Sequence, residues 1–432
     1  MADSAQRRGR IWRTSLTLVL LLASALVPAQ ARIFKVLHTF HSGKGPQFPS
    51  GRLVLDADGN LYGIAGGGKG TCFVKNNLCG TVFKMNKSGK LVWVYSFSGP
   101  DGDEPYGGLL RDASGNLFGV TIAGGVNTKA CLVDSFRVCG VVFKLDPTGK
   151  KETVLHKFTN NPDGEEPESL LIEDSIGNLY GTTLGGGSDF GTVFKVSPEG
   201  KETVLYTFPW PNYAYGAFPY VGVIGDSAGN LYGTTADGGE FDYGTVYELD
   251  STSKETVLYS FEGESDGKFP SLGASLIRDP EGNLYGTTQL GGNEQVNDCD
   301  GDEGCGVVFK VSPNSDGTWT DTTLYEFCSQ SNCTDGWYPA GGLVRDAAGN
   351  LYGTTYRGGF SQSDCCGVVF KLDTTGKSTV LHTFTGGADG SYPQAGLVRD
   401  AAGNIYGSAS SGGDLNCQPS YGGCGVVFRI TP

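Results

Sequence analysis

Carboxylates and aromatic side chains recur at fixed places in this chain, and together they offer the chemistry of sugar recognition. An Asp-Gly step occurs at Asp101, Asp163, Asp266, Asp335 and Asp389, with Glu104, Glu165 and Glu166 adding further acid. An aromatic–proline step stands at Phe48-Pro49, Phe218-Pro219, Phe269-Pro270, Tyr338-Pro339 and Tyr392-Pro393, and Glu104-Pro105 and Glu166-Pro167 take the same place elsewhere. Trp210, Tyr213, Tyr215 and Trp337 lie in the same stretches. Aromatic faces beside carboxylates suit a sugar ring, and two carboxylates across one groove suit glycosidic cleavage. Turn-making is the simpler role, because proline fixes φ and aspartate bonds its own backbone. The turn reading carries more weight. The four aromatics and the five Asp-Gly aspartates are therefore candidate ligand contacts, and no residue is assigned a catalytic role.

Histidine excludes other chemistries. His38, His156 and His382 occupy one repeated position, where other copies have Tyr95, Tyr206, Tyr259 and Tyr325, and His41 stands apart. This is not the arrangement of a catalytic triad or a multi-histidine metal site. The chain has 12 cysteines. Ten form local candidate disulfides: Cys72–Cys79, Cys131–Cys139, Cys299–Cys305, Cys328–Cys333 and Cys417–Cys424. Each such small ring contributes about 2–3 kcal/mol in the chain-entropy account. For the adjacent Cys365 and Cys366, a vicinal disulfide, a reduced pair and partners in neighbouring loops all remain open. There is no repeated Cys-x-x-Cys, so neither a metal nor a cofactor is expected.

These residues sit on a repeat. Gly-Asn-Leu-Tyr-Gly, or a close variant, begins at Gly59, Gly115, Gly177, Gly229, Gly282, Gly349 and Gly403. Around each copy run four β-rich segments, A to D. A precedes an Asp-x-x-Gly-Asn turn, B carries Leu-Tyr-Gly, C carries Val-Phe or Val-Tyr, and D follows a short turn usually carrying Gly-Lys. One such unit is too thin to bury its apolar face, whereas stacked units share a core. The D segments are out of phase: the first, Ile33 to Phe40, precedes the first A, and the last unit ends after C. Pairing the two ends completes the last unit and removes the exposed edges of an open array. The expected fold is all-β, a seven-bladed β-propeller of four-stranded blades with A innermost. Its blades span about 50–97, 107–158, 168–208, 220–261, 273–327, 340–384 and 394–430 plus 33–40. The A–B and C–D turns then share a uniform face, and the B–C and D–A loops share the variable face, where binding residues are to be sought.

Residues 1–31 read as a signal peptide, with Arg7, Arg8, Arg10 and Arg13 ahead of the apolar run Leu16 to Val27 and Ala29-Gln30-Ala31 as the cleavage site. Residues 32–432 are then one domain, secreted or periplasmic, with no membrane span after cleavage. The formal net charge of −14 becomes about −17 once four arginines and one aspartate are removed. That balance disfavours nucleic acid and anionic membrane surfaces as partners.

The pattern Asp-x-x-Gly-Asn-Leu-Tyr-Gly-Thr-Thr, then Gly-Thr-Val-Phe-Lys, then Gly-Lys-Glu-Thr-Val-Leu-Tyr-Thr-Phe, is similar to the extracellular tandem repeat named after Gloeobacter and Verrucomicrobia. Asp174 to Phe208 and Asp226 to Phe261 carry it in near-complete form. The resemblance implies a secreted bacterial propeller and brings no catalytic motif. The function expected is non-catalytic binding or scaffolding outside the cytoplasm, with a glycan or an envelope protein as ligand. The alternative is a carbohydrate-active hydrolase or lyase using acids of the variable-loop face.

Overall fold

β-branched and aromatic runs punctuated by Asp-x-x-Gly-Asn fold as antiparallel hairpins. The computed structural model describes residues 32–431 apart from 70–78, 127–130, 134–135, 138, 188–189, 210, 271–274, 293–298, 300–302, 360–364, 418–419 and 421. The fold is all-β with almost no helix; Tyr213–Tyr215 and Ser331–Cys333 are single 3₁₀ turns. Antiparallel four-stranded sheets recur. In the third unit Ile172–Glu173 pairs with Leu179–Thr183, that strand with Thr192–Val196, and that with Glu202–Thr207. The last unit takes its outer strand from the other end of the chain. Ile33–Thr39 pairs antiparallel with Val426–Thr431, Ile33 lying opposite Thr431 and Thr39 opposite Val426.

The glycine of Leu-Tyr-Gly is not a turn residue. It lies in strand B beneath the aromatic ring of strand C. A Cβ at Gly286 would sit 2.5 Å from Phe309 Cζ, and one at Gly353 2.6 Å from Phe370 Cζ. Rings also link one unit to the next. The last Phe of each D strand packs edge-on against the strand C ring of the following unit, as in Phe97 with Phe143 and Phe261 with Phe309, both at 5.1 Å. Phe40, from the N-terminal strand, makes the same contact with Phe83 of the first unit at 5.5 Å.

A second device locks each pair of neighbours. The residue before the proline of strand A has positive φ in every unit: Phe48, Glu104, Glu166, Phe218, Phe269, Tyr338 and Tyr392, between 53° and 62°. Side chains other than glycine rarely adopt this conformation, which costs about 1–3 kcal/mol. In return the backbone N–H crosses to the preceding unit. Glu104 N donates to Cys79 O at 3.0 Å, Tyr338 N to Cys305 O at 3.0 Å, and Phe48 N to Cys424 O at 2.9 Å. The proline then covers the glycine that opens strand C, leaving no room for a Cβ there: Pro339 Cδ would lie 2.5 Å from one on Gly306, and Pro49 Cδ 2.5 Å from one on Gly425.

The cysteines sit at these locks. The structure contains Cys131–Cys139, Cys299–Cys305, Cys328–Cys333 and Cys417–Cys424, and joins Cys365 to Cys366. Cys72 lies outside the described residues. Such disulfides fit an oxidising compartment. Among the described residues no helix is long and apolar enough to cross a membrane.

The Asp-x-x-Gly-Asn carboxylate holds its own hairpin. Asp346 Oδ1 accepts from Asn350 N at 2.9 Å, and its Oδ2 accepts from Asn350 Nδ2 at 2.8 Å and Tyr352 Oη at 3.0 Å. Partial burial opposes ionisation, but these bonds outweigh it, so Asp56, Asp174, Asp226, Asp279, Asp346 and Asp400 stay below the ordinary carboxylate range. Acids that open the D strands move the other way. Burial lifts Glu152, Glu255 and Asp321 to about 7, with the charge of Asp101 adding to Glu152 and that of Asp266 to Asp321. The depressed aspartates stabilise the fold above their unfolded pKa, near 3.9, and lose that effect as pH falls through the folded value. The raised acids stabilise it below their unfolded pKa, near 4, and lose that effect as pH rises through 7. The melting temperature is therefore expected to peak at about pH 4 to 4.5. It should decline through neutrality, less steeply in a Glu152→Gln, Glu255→Gln double variant. A flat profile from pH 5 to 8 in the parent would refute this.

Candidate functional site

The loop aspartates have work within the fold. Asp101 Oδ2 accepts from Tyr95 Oη at 2.5 Å, Asp266 Oδ2 from Tyr259 Oη at 2.7 Å, and Asp335 Oδ2 from Tyr325 Oη at 2.6 Å. Asp163 and Asp389 bond His156 Nε2 and His382 Nε2 at 3.0 and 3.1 Å. Each also closes its own loop, Asp163 by accepting from Thr159 Oγ1 at 2.6 Å and Asp266 from Glu262 N at 2.7 Å. In these five units Tyr and His are interchangeable because both offer a donor to the loop aspartate, whereas His38 bonds the Gly89 carbonyl instead. The five aspartates lie one per loop, and the structure does not bring them together.

The aromatic candidates separate. Tyr213 and Tyr215 are exposed at 38% and 43%, and Tyr213 packs on Phe190 at 4.6 Å. Trp210 lies outside the described residues. Trp337 does not face the loop surface as expected. It is 3% exposed, packed in a core cluster with the Cys299–Cys305 and Cys328–Cys333 disulfides, with Arg357 5.2 Å above its ring. The loop is stapled by that disulfide and folds its largest side chain inward.

A different set of residues converges. The starts of several A strands and the ends of two B strands enclose a cavity of about 230 Å³, lined by Ser50, Arg52, Tyr106, Gln289, Tyr338, Tyr356 and Gln394 together with small residues. Ser50, Tyr106 and Gln394 follow directly on the A-strand prolines, and Gln289 and Tyr356 follow the paired threonines of strand B. Tyr356 is itself backed by Tyr392, ring to ring at 4.8 Å.

Arg52 is the cation of this cavity. The equivalent positions in other units are Gly108, Leu170, Gly222, Ser275, Gly342 and Gly396. The glycines leave space that the arginine stem enters: a Cβ on Gly396 would lie 3.5 Å from Arg52 Cγ. Arg52 also lines a second, smaller cavity floored by Leu170, Ile172, Ile224, Ile277 and Leu343. Arg52 is itself exposed to solvent. Partial desolvation by the protein atoms around it lowers its pKa, and at any physiological pH it remains a cation. Among the described residues no carboxylate lines either cavity.

Acid stands next to this site. Burial and then the charge of Glu166 raise Glu168 to about 7. Glu168 in turn adds to the effect of burial on Tyr106, pushed up to about 12. Repeat counting marked Glu166 for its place before proline and passed over Glu168. The signal was present in the sequence: Glu168 occupies the same post-proline place as Ser50, Tyr106 and Gln394.

The sequence profile of the Gloeobacter/Verrucomicrobia repeat matches residues 79–298 and 275–432. No curated protein matches the chain. Among solved structures, the chain is similar to a putative gluconolactonase at 11% identity and a TM-score of 0.42, covering 94% of this chain and 93% of that one. A gluconolactonase from Xanthomonas campestris is similar at 14% identity and a TM-score of 0.40, covering 67% of this chain and 78% of the other. A protein of unknown function from Dyadobacter fermentans is similar at 12% identity and a TM-score of 0.44, covering 92% and 98%.

Proposed function

This chain belongs to the Gloeobacter/Verrucomicrobia repeat family, and from that premise we propose that it is a secreted or periplasmic, seven-bladed β-propeller that binds glycans without cleaving them. The observation that carries the reading is the cavity at the inner strands. Tyr106, Tyr338 and Tyr356 supply faces for a sugar ring, and Ser50, Gln289, Gln394 and Arg52 supply directional hydrogen bonds. At about 230 Å³ it falls below the usual 300–1,000 Å³ of drug-sized pockets, and so takes one sugar residue, with the rest of the glycan outside.

A hydrolytic reading has one observation in its favour. Glu168, lifted to about 7, would be protonated often enough near neutrality to serve as a general acid. One experiment addresses both. The protein is screened on a glycan array, and each hit is then assayed in solution for affinity and for release of reducing ends. Binding without release is expected, with affinity falling at least about tenfold in Tyr356→Ala as a stacking face is lost. Release of reducing ends that disappears in Glu168→Gln would replace this reading with the hydrolytic one. An array without hits would remove both.

A further inference from the structure

On the face of the Asp-x-x-Gly-Asn turns, arginine is the last residue of strand A in four units: Arg111, Arg278, Arg345 and Arg399. Each reaches toward the tyrosine of the unit before. Arg111 Cζ lies 5.6 Å from the centre of the Tyr62 ring, Arg278 5.5 Å from Tyr232, and Arg399 5.9 Å from Tyr352. Arg345 acts by charge on Asp279 and Tyr285. The guanidinium also covers the glycine of its own turn. A Cβ on Gly115, Gly282 or Gly349 would lie 3.0, 3.2 or 3.3 Å from Nη2 of Arg111, Arg278 or Arg345.

The fourth unit has Gly225 at this position. Over its own turn glycine, Gly229, the nearest neighbour of a built Cβ is Ser251, at 3.7 Å. Where the arginine would lie there is a cavity of about 370 Å³, lined by Glu173, Asp174, Tyr180, Asp226, Gly229 and Asn230 among others. Among the described residues no cation lines it, though the charge of Lys144 acts on Glu173. At two of the filled copies the ring meets a second cation from strand C of the same unit, Lys84 at 5.1 Å from Tyr62 and Lys371 at 5.9 Å from Tyr352, whereas opposite Tyr232 strand C carries Glu248. Lys195 holds the corresponding register opposite Tyr180. What is missing at this junction is the arginine from the next unit.

We infer that the cavity between Tyr180 and Gly225 receives the arginine side chain of a partner polypeptide, which takes the place that Arg111, Arg278 and Arg399 hold at other junctions. Ring face and carboxylates are already arranged for a guanidinium, and a planar cation over a tyrosine face is a favourable pairing. This site is separate from the glycan cavity, and either can fail without the other.

The test is a ligand-observed NMR titration of the protein with the peptide acetyl-Gly-Arg-Gly-amide, against the same peptide carrying the neutral isostere citrulline. The arginine peptide is expected to bind at least about tenfold more tightly. Gly225→Arg should fill the site from within. A Cβ at Gly225 meets nothing closer than 3.5 Å, and its φ is not in the left-handed region, so the substitution is accommodated. That variant should melt higher and lose the arginine response. Tyr180→Leu, which keeps an apolar side chain but removes the ring, should weaken binding about tenfold and decides the matter if Gly225→Arg does not fold. Equal binding of the two peptides, no binding of either, or an undiminished response in both variants would overturn the assignment.

Discussion

Removal of residues 32–40 is expected to abolish cooperative folding of the remaining chain. The segment supplies the whole of Ile33–Thr39, the outer strand of the last sheet. It also supplies Phe40, whose buried ring bridges to Phe83 of the first unit. Leu37 receives the C–D turn of that unit, since a Cβ on Gly89 would collide with the Leu37 carbonyl. Deletion therefore strips one side of the junction between the last unit and the first and leaves Val426–Thr431 as an open edge. The loss is comparable with the total stability of an ordinary domain, about 5–15 kcal/mol. Phe40→Ala tests the same junction more gently and should cost about 3–5 kcal/mol. Urea unfolding followed by tryptophan fluorescence and far-ultraviolet circular dichroism measures both. A deletion variant with an unchanged midpoint and slope would show that closure by this strand does not hold the fold together.

Gly286→Ala is expected to destabilise the protein by about 1–3 kcal/mol, although alanine is the smallest possible change. The added methyl group would sit 2.5 Å from Phe309 Cζ and 3.1 Å from Leu276 Cδ2, both fully or nearly fully buried. Neither can retreat, because Phe309 is held from the other side by Phe261 of the preceding unit. Phe309→Leu alone leaves a void where the ring lay and should also destabilise. In combination the leucine vacates the space that the methyl group needs, so the double variant should be more stable than the sum of the two losses by about 0.5–3 kcal/mol. Additivity to within about 0.5 kcal/mol in urea melts would mean that the clash is relieved elsewhere.

These two predictions mark how far the sequence could be read. Segment boundaries were legible because Asp-x-x-Gly-Asn and the short Gly-Lys turns punctuate every copy. The out-of-phase first strand was legible by counting. Two other features were not. The glycine of Leu-Tyr-Gly was placed in segment B, but a string of letters does not say that a ring from strand C crosses above it. Tyr95 and Asp101 stood in view, as did His382 and Asp389, yet only the bend of the loop brings each pair within 2.5 to 3.1 Å. Arg52 was visible as the odd residue at its repeated position, and Gly225, with Leu55 and Glu173, as one of three departures from arginine at another. What their difference meant depended on which neighbour faced them. One proved to be a cation entering space left by glycines, and the other a gap where arginine packs elsewhere. The uniform turn face, set aside because its copies looked alike, holds that gap.

The pairing of Ile33–Thr39 with Val426–Thr431 also places a burden on timing. The strand made first has a partner that is made last. At about 5–20 residues per second, synthesis of the intervening stretch occupies roughly 20 to 80 seconds. For that period an apolar strand, with Ile33 58% exposed even in the finished protein, waits with its hydrogen-bonding edge bare. The same strand that closes the molecule is its most vulnerable segment until the final residues emerge.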